Sequence, residues 1–408
     1  MELIPVSDKT SRKAFYDVPR ILYRDDPHWV GVPDPLLESI FTPGQNTFFE
    51  HGTAERWVLK DQDGRLIGRV AAFINDKKAW NFDPPTGGMG FFECINDRDA
   101  AFLLFDTCRD WLAARGMEAM DGPINFGEND NFWGLLVEGY QAPCYGMNYN
   151  PPYYKDLFES YGFRMYYEQV TNDLDLRKPF PERFWKIAEW IRGKPGYTWE
   201  HLRLEEKERY IQDLKTIYDQ AWSFHENFTP IKLEDLRQVV KRSRHLLIEE
   251  FIWFVYHEGE PIAFLVMMPD ANQLFRKLSG RMDLMDKLRF LYFKRRKIFS
   301  RARITIMGVV PQYQKYGVES GIFWELNEVM KRKPEYTNIE LSWVGDFNPK
   351  MRKLHESVGA TFSMRHYTYR RLFSDDKEFK RSTIIPVDTK ERALRSEKRD
   401  EETSEQKI

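Results

Sequence analysis

Short apolar runs alternate with amphipathic stretches along this chain, and the alternation predicts strands and helices in turn. In the second half, LEEKERYIQDLKTIYDQAW from Leu204 and LEDLRQVVKRSRHLLI from Leu233 read as helices. Strands follow at FIWFVY and PIAFLVMM, and the polar link His257-Glu258-Gly259-Glu260 reads as a hairpin turn. RITIMGVV from Arg303 is a third strand. Past Gly317, residues Val318, Ile322, Leu326 and Val329 share one face of a helix. NIELSWV from Asn338 is a fourth strand, and a helix runs from Asn348 to Val358. The first half has strands at RWVLK, LIGRVAAFI and GFFECI. Its main helix, RDAAFLLFDTCRDWLAARG, turns Ala101, Leu104, Phe105, Cys108 and Trp111 to the core and stops at Gly116. Strands alternating with helices place the chain in the α/β (α+β) class, with helices packed on a mixed central sheet.

The two halves repeat each other. GRLIGRVAAFIND at Gly64 matches GEPIAFLVMMPDAN at Gly259, with Ile67 on Ile262 at an offset of 195. LFESYGF at Leu157 matches LHESVGA at Leu354 at an offset of 197, and an Asn-Pro pair precedes each. The period is too long for a solenoid and predicts two copies of one α/β unit. Boundaries at 1–178 and 179–373 follow, with a charged tail, 374–408, that has no apolar period and reads as disordered.

Composition narrows the function. A net charge of -2 excludes a whole-protein field for nucleic acid, so any basic site is local. No apolar run reaches the roughly 18 residues of a membrane span, and MELIPVSDKTSRKAF lacks an apolar signal core. The three cysteines, Cys94, Cys108 and Cys144, have no metal-type spacing. The expectation is a cytoplasmic protein with reduced thiols and no metal.

The segment GVVPQYQKYGVESGIFWEL, from Gly308, carries the sharpest chemistry. A strand runs into a turn, then Gly317, then a helix. Free N–H groups and the positive end of the helix converge there, which suits a phosphate. Many strand–helix turns bind nothing, so the geometry alone leaves both readings open.

With Val-Val-Pro, Gln-x-x-Gly and a helix in order, this segment resembles the acyl-CoA loop of the GNAT acyltransferases. NIELSWV, Asn348 and LHESVGA resemble that family's next segment. The resemblance covers about residues 205–373, and the repeat extends it to a tandem of two GNAT-like units. DPHWVGVP, NTFFEH, GFFEC, GPINF, YNPPYY and ELSW also resemble a bacterial family that includes ceramide-synthase-like N-acyltransferases. The resemblance implies an acyl-CoA or acyl carrier protein donor held at Val309, Val310, Gln314, Tyr316, Gly317 and Asn348. Asn348 equally suits a helix cap. Backbone N–H groups near Gly308–Val310 would meet the oxyanion if the strand there is splayed. The family's last small loop residue falls on Glu319, a departure. Its carboxylate either repels a pyrophosphate or faces out and complements the helix end.

His355 stands where many GNAT enzymes carry a tyrosine that protonates the leaving thiolate. A surface histidine is the plain alternative. Along IELSWV, Glu340 and Ser342 share one face, so Glu340 is the candidate base for an amine or part of a solvated strand face. The aromatic run YDQAWSFHENFTPI puts Trp222 and Phe228 where the family covers its acceptor, or in helix core. The first copy has no glycine loop after GFFECI and is expected not to bind CoA. Asn125, Glu128, Asn129 and Asp130 read as turn residues or as an acceptor wall.

One insertion stands out, at about 275–303. From Arg276 to Arg303 it holds eleven Lys/Arg and two Asp, a local charge of +9. Leu278, Met282, Met285, Leu288, Leu291 and Tyr292 recur at helical spacing. The pattern suits an anionic membrane surface, on the inner face of the membrane, or a packed helix with a solvated basic side. No RNA-binding signature supports nucleic acid. These features point to an N-acyltransferase with a long-chain lipid amine as acceptor. The alternatives are a non-catalytic tandem protein that docks on membranes or binds a ligand, and a GNAT enzyme acting on a small soluble amine.

Overall fold

The computed structural model describes residues 1–223 and 230–384. Its strands are β1 (Glu2–Pro5), β2 (Gly52–Lys60), β3 (Leu66–Asn75), β4 (Thr86–Cys94), β5 (Ala119–Gly122), β6 (Leu135–Glu138), β7 (Arg164–Asp175), β8 (Tyr197–His201), β9 (Ile252–His257), β10 (Glu260–Pro269), β11 (Arg301–Val309), β12 (Asn338–Gly345) and β13 (Thr361–Leu372). The chain forms two compact units. Unit 1 takes residues 1–170, 271–298 and 364–382, and unit 2 takes 171–270 and 299–363. The chain crosses between them within β7 and again within β13.

Unit 1 has strand order β1-β2-β3-β4-β5-β13, with β6 also paired to β13. β4 and β5 are parallel, and the other neighbours in that order are antiparallel. In unit 2, β8-β9-β10-β11 are antiparallel and β11-β12 are parallel. The run β2-β3-β4-β5 therefore has the same strand directions as β9-β10-β11-β12, the topological counterpart of the sequence repeat. The hairpin turn forms as expected, because Glu258 and Gly259 both take positive φ, 52° and 86°.

Alternating residues carry a core on each side of the unit 1 sheet. Val70 and Ala72 pack with Leu104, Phe105 and Cys108 of the helix Arg98–Ala113. Val58 and Ala71 pack on the opposite side with Phe15, Val18 and Leu37. At the end of the helix Arg98–Ala113 it is Leu112 that is buried, while Trp111 is half-buried. In unit 2, Phe254, Tyr256 and Phe264 pack against Tyr210 and Ile217 of the helix Lys207–Trp222. The helix Val318–Lys331 packs with the helix Glu182–Arg192, Phe184 meeting Phe323 edge-on at 5.9 Å.

The basic insertion follows β10 in the chain and packs within unit 1. Asn272 donates to Pro143 O at 2.9 Å, and Asp34 N–H donates to Gly280 O at 2.8 Å. Its helix begins only at Leu284 and ends at Arg295, so Leu278 and Met282 precede it. Residues 374–384 form no helix or strand, and Ser382 N–H donates to Tyr166 O at 3.1 Å. Residues 385–408 of the tail lie outside the described residues.

Candidate active site

The site of unit 2 starts from a pair of strands that part. β11 and β12 pair from Arg301↔Asn338 to Ile304↔Leu341 and stop, although β11 continues to Val309 and β12 to Gly345. A bulge coincides with the parting: Val266 and Met267 of β10 face Ile306 and Ile304, leaving Thr305 as an extra residue. A bulge bends its strand and strengthens the local twist, which carries β11 away from β12. Val310 N–H donates to Ile262 O at 2.9 Å, toward β10. Peptide groups alternate along a strand, so the N–H groups of Met307 and Val309 turn the other way, into the gap.

The gap leads to the glycine loop. Gly317 has φ 72° and precedes the first residue of the helix Val318–Lys331. Gln314, Tyr316 and Ser320 direct their N–H groups to Pro311, Tyr313 and Gly317 carbonyls, which leaves first-turn N–H groups aimed out of the helix end. Gln314 does not reach outward. Its Nε2 donates to Val309 O at 2.9 Å, and Lys350 Nζ donates to its Oε1 at 3.0 Å. Tyr316 is exposed, and Val309 and Val310 are buried. Glu319 is half-buried rather than facing out. Burial raises its carboxyl pKa, while its own backbone N–H and the Lys350 charge favour the carboxylate. The carboxylate thus sits at the helix end, where an anion would sit.

Asn348 caps the helix Pro349–Ser357, its Oδ1 accepting from Met351 N–H at 3.3 Å. In that helix His355 is buried and takes a hydrogen bond from Asn172 Nδ2 to its Nδ1 at 3.0 Å. The proton is then on Nε2. Burial holds the imidazole pKa down at about 4. At neutral pH His355 is therefore a neutral N–H donor, not an imidazolium acid. A pKa depressed from 6.5 to about 4 on folding means that the unfolded chain takes up the proton first. Stability is expected to be complete above pH 6.5 and to fall between pH 6.5 and 4, by up to about 3 kcal/mol. Melting temperature against pH checks this, and His355→Gln should flatten the loss across that window.

Glu340 is fully buried opposite Arg303, with Arg303 Nε 3.2 Å from its Oε1. Arg303 Nη2 donates to Ser342 Oγ at 3.1 Å, and Arg301 pairs with Asp270 at 2.8 Å. Burial raises the Glu340 carboxyl pKa, Arg303 and Arg301 oppose the rise, and Asp173 and Asp270 add to it. Glu340 stands one residue before the strands part, and Ser342 on the same face is the first residue beyond.

Trp222 stacks on Tyr218 at 4.6 Å and lies against Gly308, where an added Cβ would meet its ring at 2.5 Å. It belongs to the packed side of the sheet beside the parted strand. Phe228 lies outside the described residues. Sequence reading missed Thr305, Asn172, Lys350 and the Arg303 partner. Only Arg303 had a visible signal, since alternation along RITIMGVV puts it on one face with Thr305, but its register against Glu340 was not legible. Among the described residues no group of three His, Cys, Asp or Glu is placed to hold a metal ion, and Cys94, Cys108 and Cys144 are buried thiols.

No family model matches the chain. Its relatives include a protein of Caulobacter vibrioides named bacterial ceramide synthase, 29% identical over 91% of this chain and 96% of that protein. Protein YghO of Escherichia coli is 25% identical over 89% of this chain and 93% of its own length. Among solved structures, a tandem GNAT protein from the clavulanic acid biosynthesis pathway superposes with a TM-score of 0.57 at 11% identity, covering 92% of this chain and 99% of that one. The chain has the fold of a tandem GNAT protein. The parted strands and the Gly317 loop are where the resemblance placed the thioester donor. Among the described residues no helix is long and apolar enough to cross a membrane.

Proposed function

We propose that this enzyme moves an acyl group from an acyl thioester to a long-chain lipid amine, giving a ceramide-type amide. The observation that carries the reading is the parting of β11 from β12 ahead of the Gly317 loop, with the Val309 and Met307 N–H groups turned into the gap. The 29% identity to a protein named bacterial ceramide synthase supports the choice of acceptor.

The amine nitrogen bonds to the thioester carbonyl carbon in the gap. The carbonyl oxygen takes the negative charge and is met by the Val309 N–H, a type of contact worth about 10²–10³ in rate. Glu340 receives the amine proton, through water and past Ser342. The C–S bond then breaks. Neutral His355 hydrogen-bonds the leaving thiolate through Nε2, and solvent supplies its proton. The pantetheine arm of acyl-CoA or of an acyl carrier protein runs past Val310, with its phosphate toward Gly317 and Tyr316. Glu319 competes with that phosphate for the helix end. Glu319→Ala is expected to tighten acyl-CoA binding about tenfold, read as the KM for the donor. An unchanged KM with a lowered melting temperature would leave Glu319 a helix cap only.

The insertion supplies the approach to a bilayer. Its helix exposes Leu284, Met285, Leu288, Leu291 and Tyr292, and it is anchored by the buried Asp286, which accepts from Ser279 N–H and Oγ at 2.8 and 2.7 Å. Exposed apolar side chains amid eleven Lys/Arg suit an anionic lipid surface. The reading is tested by transfer of labelled acyl from long-chain acyl-CoA and from acyl carrier protein, with sphinganine or a small soluble amine as acceptor. The expected result is transfer to sphinganine at least about 100-fold faster than to the small amine, and faster again on vesicles containing anionic lipid than on neutral ones. Equal or better transfer to the small amine would overturn the lipid acceptor.

A further inference from the structure

We propose that the mouth of the donor site in unit 2 is a docking surface for an acidic carrier protein that presents the acyl group on a phosphopantetheine arm. The proposal rests on the thioester site read at the Gly317 loop and names what delivers the donor to it. The helix Glu182–Arg192 flanks that loop, since an added Cβ on Gly317 would lie 2.4 Å from Ile187 Cγ2. Arg183, Ile187 and Trp190 stand at i, i+4 and i+7, on the face of this helix that reaches the loop. All three are exposed, whereas Phe184, Ala188 and Ile191 on the neighbouring face are buried. Lys194, just past the helix, lies over the Trp190 ring at 4.5 Å. Tyr316, next to Gly317 in the loop, is exposed as well. Exposed apolar side chains thus gather at one place, the entrance for the donor, where scattered single ones would carry no meaning.

Cations accompany these side chains, and they are uncompensated. Elsewhere on the same helix the charges are paired: Lys186 meets Glu182 at 2.7 Å, and Arg192 meets Glu325 at 2.8 Å. Arg183 and Lys194 have no acidic partner among the described residues, and neither has the exposed Lys315 of the loop. Lys353 is exposed one turn after Lys350, whose Nζ reaches the loop at Gln314 Oε1, 3.0 Å away. A tryptophan with free cations beside it is the composition of a protein interface centre, and the sign of the charge selects an acidic partner.

Glu319 discriminates between donors that share the same arm. It is half-buried at the start of the helix Val318–Lys331, where the arm's phosphate would come. A CoA ester brings a diphosphate to that point, with a 3′-phosphate beyond it. A carrier protein brings a single phosphodiester, so its like-charge repulsion with Glu319 is smaller. What the phosphate loses there, a carrier protein recovers by contact with Arg183, Ile187, Trp190 and Lys194. A free CoA ester has no second protein surface with which to do the same. An anionic bilayer would also suit cations beside a tryptophan, but a bilayer laid over this entrance would block a donor arriving from water.

Calorimetry on the full chain, without an amine acceptor, tests the surface with three probes: dodecanoyl carrier protein, dodecanoyl-CoA and dodecanoyl-phosphopantetheine. The carrier ester is expected to bind at least about tenfold tighter than either small ester. Arg183→Glu/Lys194→Glu, at two exposed positions, should weaken the carrier ester at least about tenfold with an unchanged melting temperature, and leave dodecanoyl-phosphopantetheine as before. Trp190→Ala, which changes no charge, should act in the same direction on the carrier ester alone. Gly317→Trp should weaken all three probes. The proposal is overturned by the CoA ester binding as tightly as the carrier ester, or by unchanged carrier affinity in both surface variants. Equal weakening of dodecanoyl-phosphopantetheine also overturns it, since the cations would then serve the arm itself. The reading beneath it fails separately: if Gly317→Trp leaves every probe bound, the donor site lies elsewhere. If Gly317→Trp weakens them all while the surface variants do nothing, the donor site stands and only the docking surface is lost.

Discussion

Gly317→Trp is expected to lower affinity for both long-chain acyl-CoA and acetyl-CoA at least about 100-fold while the fold persists. Two effects combine at this position. The backbone at φ 72° costs a side chain about 1 kcal/mol or more, since only glycine takes it freely. A Cβ there would also stand 2.4 Å from Ile187 Cγ2, so the helix Glu182–Arg192 or the loop must move. Either movement re-aims the N–H groups at the start of the helix Val318–Lys331. Calorimetric titration of both CoA esters measures the loss, with a thermal melt beside it. Ile187→Ala in the Gly317→Ala background removes the clash but not the φ strain, so it should recover part of the affinity. Full binding by Gly317→Trp would move the donor away from this loop.

Glu340→Leu is expected to cost about 3–5 kcal/mol of stability, because Arg303 is left as a buried cation without its opposite charge. Arg303→Leu should cost a similar amount for the converse reason. The double variant Arg303→Leu/Glu340→Leu replaces a buried pair with apolar groups and should regain most of the loss, as urea unfolding would show. That recovery separates structure from chemistry. If Glu340 takes the amine proton, the refolded double variant stays about 10²–10⁴-fold slow in kcat. If it returns to near the original kcat, the pair is structural and the base lies elsewhere. The pH profile gives a second readout. A carboxyl pKa raised by burial puts the acid limb of the rate above the ordinary carboxylate range, with the rate falling as pH drops through it.

Several site features were legible before any fold was known. The turn at Glu258-Gly259 and the face Val318, Ile322, Leu326 and Val329 follow from local rules of chirality and period, and both are observed. The helix cap at Asn348 was one of two open roles and is present. The neutral state of His355 was not legible, because its low pKa comes from burial and its Nδ1 partner, Asn172, is 183 residues away in sequence. Trp222 was placed correctly on a helix, yet its position against Gly308 needed the strand to arrive from elsewhere in the chain. Glu319 illustrates the same limit. The sequence showed a carboxylate at a helix start, and only packing decided that it is half-buried there.

Sequence by itself determined the element types, the doubled unit and the resemblance to GNAT acyltransferases, because periodicity, turn residues and motif spacing are local properties of a chain. Tertiary structure alone decided where β11 leaves β12, since that depends on the bulge at Thr305 and on register between strands. It also decided that Glu340 meets Arg303, and that separated segments of the first copy line one cavity. Register, burial and cavity shape are set by contacts between distant segments. A pattern of hydrophobic and polar residues constrains which faces are buried, but not which partner each buried charge finds.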